Sequence, residues 1–389
     1  MRFKNYDDNY REITLKDVCT LITKGTTPAK FSTNGINFIK IDSLNGNYVD
    51  NSKVTHINES IHNTLLSRSI LEENDILLAI AGATVGKHCI IQKSNLPANT
   101  NQALAIIRLN KHLLPYYLLA FFDTNYLPSY IKLICAASAQ PNLNLQQVGQ
   151  IKLNIPTIQE QEKVCHFIQL LDKRISVQNK IISKYETLIK GIIDCLLNKK
   201  EGNYYTFKDL YLKAGEGGTP TSDNDSYYKN GTIPFIKIDD LSQKYIKSNS
   251  DYITHLGLEK SSAWLIPANS VIFSNGATIG RISINTYPIA TKQGVLGVVP
   301  SAVVMTEYLY YYMKTTYFRR QVRRITVKGT MDCTYLKDLN GIICHIPEIN
   351  HQEKRIALLT VLDKKIACEK TILQKLKEQK KYLLSKMFI

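Results

Sequence analysis

Two kinds of hydrophobic pattern alternate along this chain. In the first stretch, short β-branched and aromatic runs such as INFIKI are broken by Gly, Asn and Pro, which predicts short strands joined by tight turns. PYYLLAFFDTNYLPSYIKLI reads as helix, with a break expected at Pro128. From about Thr157 the pattern changes. Apolar residues fall at Val164, Ile168, Leu171 and Ile175, then at Ile182, Tyr185, Ile189, Ile192 and Leu196, with Gln178 in the one polar slot. Steps alternating between four and three make a heptad seam. Both patterns then return. ISINTY is strand-like and TEYLYYYMKTTYFRRQVRRI helical. A second seam runs through Leu359, Leu362, Ile366, Leu373, Leu376, Leu383 and Met387, with Glu369 and Lys380 in its polar slots. A polar residue in a seam costs stability but fixes register.

The return is a duplication. LITKGTTP matches LKAGEGGTP, NFIKIDSL matches PFIKIDDL, and NDILLAIAGATVGK matches NSVIFSNGATIGR. NIPTIQEQEKV matches HIPEINHQEKR, placing Gln161, Glu162 and Lys163 on Gln352, Glu353 and Lys354. The offset is 217 − 25 = 192 at the first motif and 352 − 161 = 191 at the last, so one whole unit was copied. The expected class is α+β: two tandem homologous α/β domains separated by two long antiparallel coiled-coil helices, with pseudo-two-fold symmetry. The expected bounds are 1–156 and 203–348 for the domains, and 157–202 and 349–389 for the helices. A helix of about 40 residues is about 60 Å long and cannot stay dry alone, so the two copies are expected to pack on each other.

Charge narrows the partners. Lys and Arg number 49 against 33 Asp and Glu, a formal net charge of +16. Such an excess attracts polyanions, nucleic acid first and an anionic membrane as the rival. No apolar run reaches the roughly 18 residues of a spanning helix, so no membrane partner is expected. MRFKNYDDNYREI lacks the apolar stretch of a secretory signal. Eight cysteines lie scattered, without a CxxC pair or a zinc spacing, as in a reduced cytoplasmic protein.

GATVGK (Gly82 to Lys87) and GATIGR (Gly276 to Arg281) look like nucleotide loops but fail as such. Three residues, not four, separate the glycines, and His88 or Ile282 stands where a magnesium-binding hydroxyl belongs. A strand turning sharply through two glycines is the better reading. No amino-methyltransferase NPP[YF], HExxH, G-x-S-x-G or helicase loop occurs, and the eight histidines sit in no ligand spacing. The chain therefore reads as a non-catalytic binding protein, with no metal and no cofactor of its own.

This arrangement resembles the DNA-specificity subunit of a type I restriction–modification system. IPTIQEQEKVCHFIQLLDKRI (Ile155 to Ile175) and IPEINHQEKRIALLTVLDKKI (Ile346 to Ile366) are similar to that family's junction between a target-recognition domain and its spacer helix. The GTTP and GGTP turns, FIKIDSL and FIKIDDL, and the GATxG turns match as well. The resemblance implies two target-recognition domains, each reading one half of a split site in double-stranded DNA, with paired helices setting the gap. It further implies two methyltransferase subunits and restriction (translocase and nuclease) subunits as partners. S-adenosylmethionine, ATP and magnesium are then expected on those partners. The alternatives are a coiled-coil scaffold and a DNA-binding regulator unrelated to restriction.

Base-reading residues do not carry over from such a resemblance. Direct readout needs polar side chains on exposed loops. Asn99, Asn101, Gln102, Gln140 and Asn142 in the first domain, and Lys292 and Gln293 in the second, lie in such segments. Lys40 and Lys237 in the FIKID motifs, and Lys87 and Arg281 at the glycine turns, are further DNA-binding candidates. Arg319, Arg320, Arg323 and Arg324 crowd one broad helix face, with Lys328 beyond it, and read as phosphate ligands. The first domain offers only Lys132 there, so the halves are expected to grip DNA unequally. Subunit-interface candidates are seam residues Ile168, Leu171, Ile175, Ile182, Leu359, Leu362, Ile366 and Leu373. Ile181, Leu188, Ile193, Leu197, Ile372, Tyr382 and Leu384, apolar but outside the seam, are expected to dock partner helices.

Overall fold

Two compact units share the chain, and each takes part of both long helices. The first comprises residues 1–179 and 371–389, the second residues 180–370. The computed structural model describes residues 10–135, 141–198, 202–329 and 332–388.

In the first unit, strand Cys19–Lys24 pairs with Leu104–Leu109, which pairs with Ile76–Ala79, which pairs with His88–Ile90, all antiparallel. A smaller sheet orders Thr55–Ile57, Ile36–Ile39 and Ala98–Thr100, with the last two strands parallel. The second unit repeats the plan. Tyr211–Glu216, Val295–Pro300, Val271–Ser274 and Ile282–Asn285 form the main sheet, extended by Tyr245–Ile246, beside a smaller sheet of Tyr252–Ile253, Ile233–Ile236 and Ala290–Thr291. The repeated FIK motif follows from strand alternation. Phe38 packs with Ile57 and Leu66, while Ile39 joins Leu77, Ala79 and Leu104 in a separate core. Phe235 and Ile236 divide in the same way between two cores. One strand thus serves two layers, which a Phe–Ile pair on opposite faces satisfies.

Helices Pro115–Phe122 and Tyr126–Ile134 cover the main sheet of the first unit. Pro115 opens its helix where no N–H partner is needed. The expected break at Pro128 falls earlier. The helix ends at Asp123, and Pro128 lies in the first turn of the next one, where its missing N–H costs nothing. Helices Thr306–Tyr312 and Thr316–Ile325 are the counterparts in the second unit.

The long helices span Ile158–Leu197 and Ile349–Met387. In the first unit Val164, Ile168 and Leu171 share the globule's core with Leu384. In the second unit Ile193 and Leu197 share the core with Leu359, and Lys370 pairs with Glu186 at 2.7 Å, so these segments run antiparallel. The QEK motif acquires a physical role here. Buried Gln161 accepts from Leu114 N at 3.0 Å and donates to His112 O and Pro156 O, both at 3.1 Å. Gln352 accepts from Met305 N at 2.9 Å and donates to Val303 O and Pro347 O, both at 2.8 Å. Each glutamine ties the start of a long helix to the loop that opens the helical layer of its globule.

Candidate nucleic-acid interface

The glycine turns are hairpin loops. Strand Ile76–Ala79 turns back into His88–Ile90, closed by Gly86 N donating to Ala79 O at 2.9 Å and Ala79 N to Lys87 O at 2.7 Å. The second turn is closed by Gly280 N donating to Ser274 O at 3.0 Å and Ser274 N to Arg281 O at 2.9 Å. Gly86 and Gly280 lie at φ 94° and 97°, a region other residues avoid. A strand, not a helix, follows each turn, so no helix N-terminus is available to cradle a phosphate chain.

Several expected base readers are structural. Asn99 is fully buried; its side chain bonds His62 Nδ1 at 2.5 Å and donates to Leu66 O at 2.9 Å, so it cannot reach a base. Asn101 caps its own turn through Ala103 N at 3.2 Å, and Gln102 is exposed but accepts from Thr27 Oγ1 at 2.5 Å. Asn142 is exposed and bridges to Ala81 through its backbone. Gln140 lies outside the described residues. Lys40 covers the Phe31 ring at 4.0 Å, and Lys237 pairs with Asp251, so both have intramolecular partners. Arg281 is held by Ile238 O at 3.1 Å and Asp239 at 2.9 Å. Lys87, Lys292, Gln293 and Lys328 are exposed.

The arginine quartet divides. All four side chains are exposed on Thr316–Ile325, and no acidic partner pairs with them among the described residues. Arg319 and Arg323, one helical turn apart, line a cleft of about 580 Å³ between this helix and the GATIGR turn, and Lys328 and Arg281 line it too. Arg320 and Arg324 do not line it. The first unit carries the same cleft, about 830 Å³, between Tyr126–Ile134 and the GATVGK turn. Its Leu127, Ile131, Lys132 and Cys135 stand 191 positions before Phe318, Val322, Arg323 and Thr326 of the other. Sequence reasoning missed this pairing because each cleft joins two segments about 40 residues apart along the chain.

Charged ties link each globule to the long helices. In the first unit Lys380 sits 2.9 Å from Asp123 and 2.7 Å from Asp172, and His88 Nε2 lies 3.2 Å from Asp123. Burial acts to raise the Asp123 carboxyl, but the His88 hydrogen bond and the Lys380 charge outweigh it and hold it well below the usual carboxylate range. In the second unit the helix carboxylate Asp363 accepts from Tyr311 at 2.5 Å and lies 3.6 Å from Lys244. Lys314 donates to Tyr310 at 2.7 Å, and burial pushes its ammonium down to about 8.

The interface candidates on the helices also divide. Ile168, Leu171, Ile182 and Leu359 are buried within the chain, and Ile175, Leu362, Ile366 and Leu373 are half-buried. Ile193, Leu197 and Leu384, expected to dock partners, instead pack into their own globule's core. Ile181 is half-buried. Leu188, Ile372 and Tyr382 remain exposed, joined by Leu170 and Val361, which occupy equivalent positions 191 residues apart.

Residues 7–187 and 200–378 each match the type I restriction modification DNA specificity domain. The chain belongs to this family. The specificity subunit of the type I restriction enzyme EcoR124I/EcoR124II of Escherichia coli is 25% identical over 278 residues, 65% of this chain and 64% of that protein, a little under two thirds of its length. The MjaIX specificity subunit of Methanocaldococcus jannaschii is 25% identical over 313 residues, 75% of this chain and 72% of the relative. The fold of the family is present over the whole length. The S subunit of a type I system from M. genitalium superimposes with TM-score 0.53 at 14% identity, covering 100% of this chain and 98% of the other. A chain from a type I R-M complex gives TM-score 0.64, also at 14% identity, over 99% and 98%. The two matched segments of this specificity-family chain each contain one FIKID motif, one GATxG turn and one QEK glutamine. No helix among the described residues is long and apolar enough to cross a membrane.

Proposed function

We propose that this chain reads a bipartite site in double-stranded DNA, one half per globule, and supplies the frame on which the modification and restriction subunits assemble. The observation that carries this reading is the duplication itself. The two specificity domains share strand order, glycine turn and cleft but differ in the polar residues around them. Related readers with unlike surfaces suit two unlike half-sites. Uninterrupted helices of 40 and 39 residues suit a spacer that fixes the interval between halves.

Two methyltransferase subunits are the proposed occupants of the exposed helix faces. Leu170 and Val361, exposed at equivalent places in the two copies, suit a partner that binds twice. The relative from Escherichia coli is the specificity subunit of a restriction enzyme, and the restriction subunits are proposed to join here in the same way. In this proposal S-adenosylmethionine, ATP and magnesium belong to those partners, the chain performs no chemistry itself, and the complex works in the cytoplasm.

Mapping methylated adenines in the host genome tests the reading. A split motif should be present with this chain and vanish on its deletion. Insertion of four residues into both long helices should lengthen the tolerated gap between halves. A methylation pattern indifferent to the deletion would sink the proposal.

A further inference from the structure

A cleft between the glycine turn and the helix that packs beside it occurs in both units. Its recurrence at equivalent positions in both units marks it as part of the duplicated design rather than an accident of one loop. Its chemistry differs sharply between copies. In the second unit Arg319 and Arg323 stand one turn apart on one wall and Lys328 approaches from the loop; Asp332 also lines this cleft, but among the described residues no carboxylate forms an ion pair with these three, so Arg281, Arg319, Arg323 and Lys328 leave it net positive. In the first unit Pro128 replaces Arg319, and Lys132 is the one lysine or arginine in the lining. Asp123 also lines that copy, its charge already met by His88 and Lys380.

A cleft with an apolar floor, a glycine turn that bares backbone, and two unpaired guanidiniums at helical spacing suits phosphate oxygens of a strand laid across it. We propose that the second unit's cleft seats the DNA backbone through Arg319 and Arg323, and that the first unit's copy contributes at most one such contact. The electrostatic grip is therefore lopsided, although both halves read sequence. This rests on the DNA-binding reading above and adds where the phosphates sit and which half holds them.

The test is binding of the full chain to a duplex of unselected sequence, titrated between about 50 and 200 mM salt, where each phosphate contact contributes about 0.9 to the slope of log K against log [salt]. Arg319→Ala with Arg323→Ala should flatten the slope by about 1.8, and the matching Lys pair should restore most of it. Arg320→Ala with Arg324→Ala removes equal charge outside the cleft and should flatten it by less than half as much. Pro128→Arg should steepen it by about 0.9, because it rebuilds the pair with Lys132 in the first unit. Equal losses from the two arginine doubles, or no response to Pro128→Arg in a variant with unchanged thermal unfolding, would overturn the cleft assignment and leave DNA binding intact. A wild-type chain whose DNA binding ignores salt would overturn both readings. Salt-sensitive capture of an acidic polypeptide in place of DNA would do the same.

Discussion

Lys380 reaches across from one long helix to Asp172 on the other at 2.7 Å, and it fills a position that the heptad pattern reserves for an apolar side chain. The same ammonium lies 2.9 Å from Asp123, where helix Pro115–Phe122 ends. One lysine thus joins three elements. It cannot serve both carboxylates equally: burial, with Asp123's charge adding to it, raises Asp172, while Asp123 is held low.

Replacing Lys380 by Met leaves two part-buried carboxylates facing each other. The expected loss is about 2–3 kcal/mol, below the full figure for a buried pair because all three groups keep some solvent. Far-UV circular dichroism during denaturation measures it. Asp123→Asn in the same chain should recover at least about 1 kcal/mol, as coupled neighbours do. Strict additivity of the two changes would show that the tie is not energetic.

The QEK glutamines give a second prediction. Leucine at Gln161 or Gln352 has a similar volume but strands one N–H and two carbonyls in each case. Each substitution should cost about 2–4 kcal/mol. Trp264, the single tryptophan, lies in the second unit, so its fluorescence should report Gln352→Leu directly. Unchanged midpoints in both variants would remove the structural account of the motif.

Much of this architecture was readable from residue order. The repeat predicts two globules, the heptads predict two long helices, and the departures from the phosphate-loop spacing predict plain turns. What escaped prediction depends on partners distant in the chain. Asn99 looked like a loop residue because His62, its buried partner, lies 37 positions away. Ile193 and Leu384 looked like docking residues because a heptad count knows the helix partner but not the globule that also packs against it. Lys380 looked like a register device, and its two carboxylates come from separate elements.

The two GATxG turns bend at different residues, and this yields a pair of opposite effects. The first uses Gly82 at φ 85°, and the second uses Ala277 at φ 51°, one place later in the motif. An alanine held in the left-handed region costs about 1 kcal/mol, so Ala277→Gly should stabilise by about 0.5–1 kcal/mol. Gly82→Ala meets no atom within 4 Å, so its cost of about 1 kcal/mol is conformational alone. Thermal unfolding of the two variants should shift in opposite directions; a shared direction would contradict the backbone argument.

Lys314 makes the stability of the second unit rise with pH through the alkaline range. Burial is the main reason its ammonium is pushed down to about 8; Asp363 opposes the shift, while Arg319 and Lys244 add to it. The unfolded side chain titrates near 10.4, so the folded state binds this proton less tightly than the unfolded chain. Stability from this group is therefore full above about 10.4 and lost as pH falls through about 8. Other groups oppose it in the whole protein: burial raises the thiols of Cys19, Cys89, Cys165 and Cys344 to about 12, and their contribution disappears as pH rises. The difference between wild type and Lys314→Met cancels those thiols. Relative to the variant, wild type should gain about 2 kcal/mol between pH 7.5 and 9.5, read from Trp264 fluorescence in denaturant. A difference that stays flat across that window would mean that Lys314 keeps its ordinary proton affinity inside the fold.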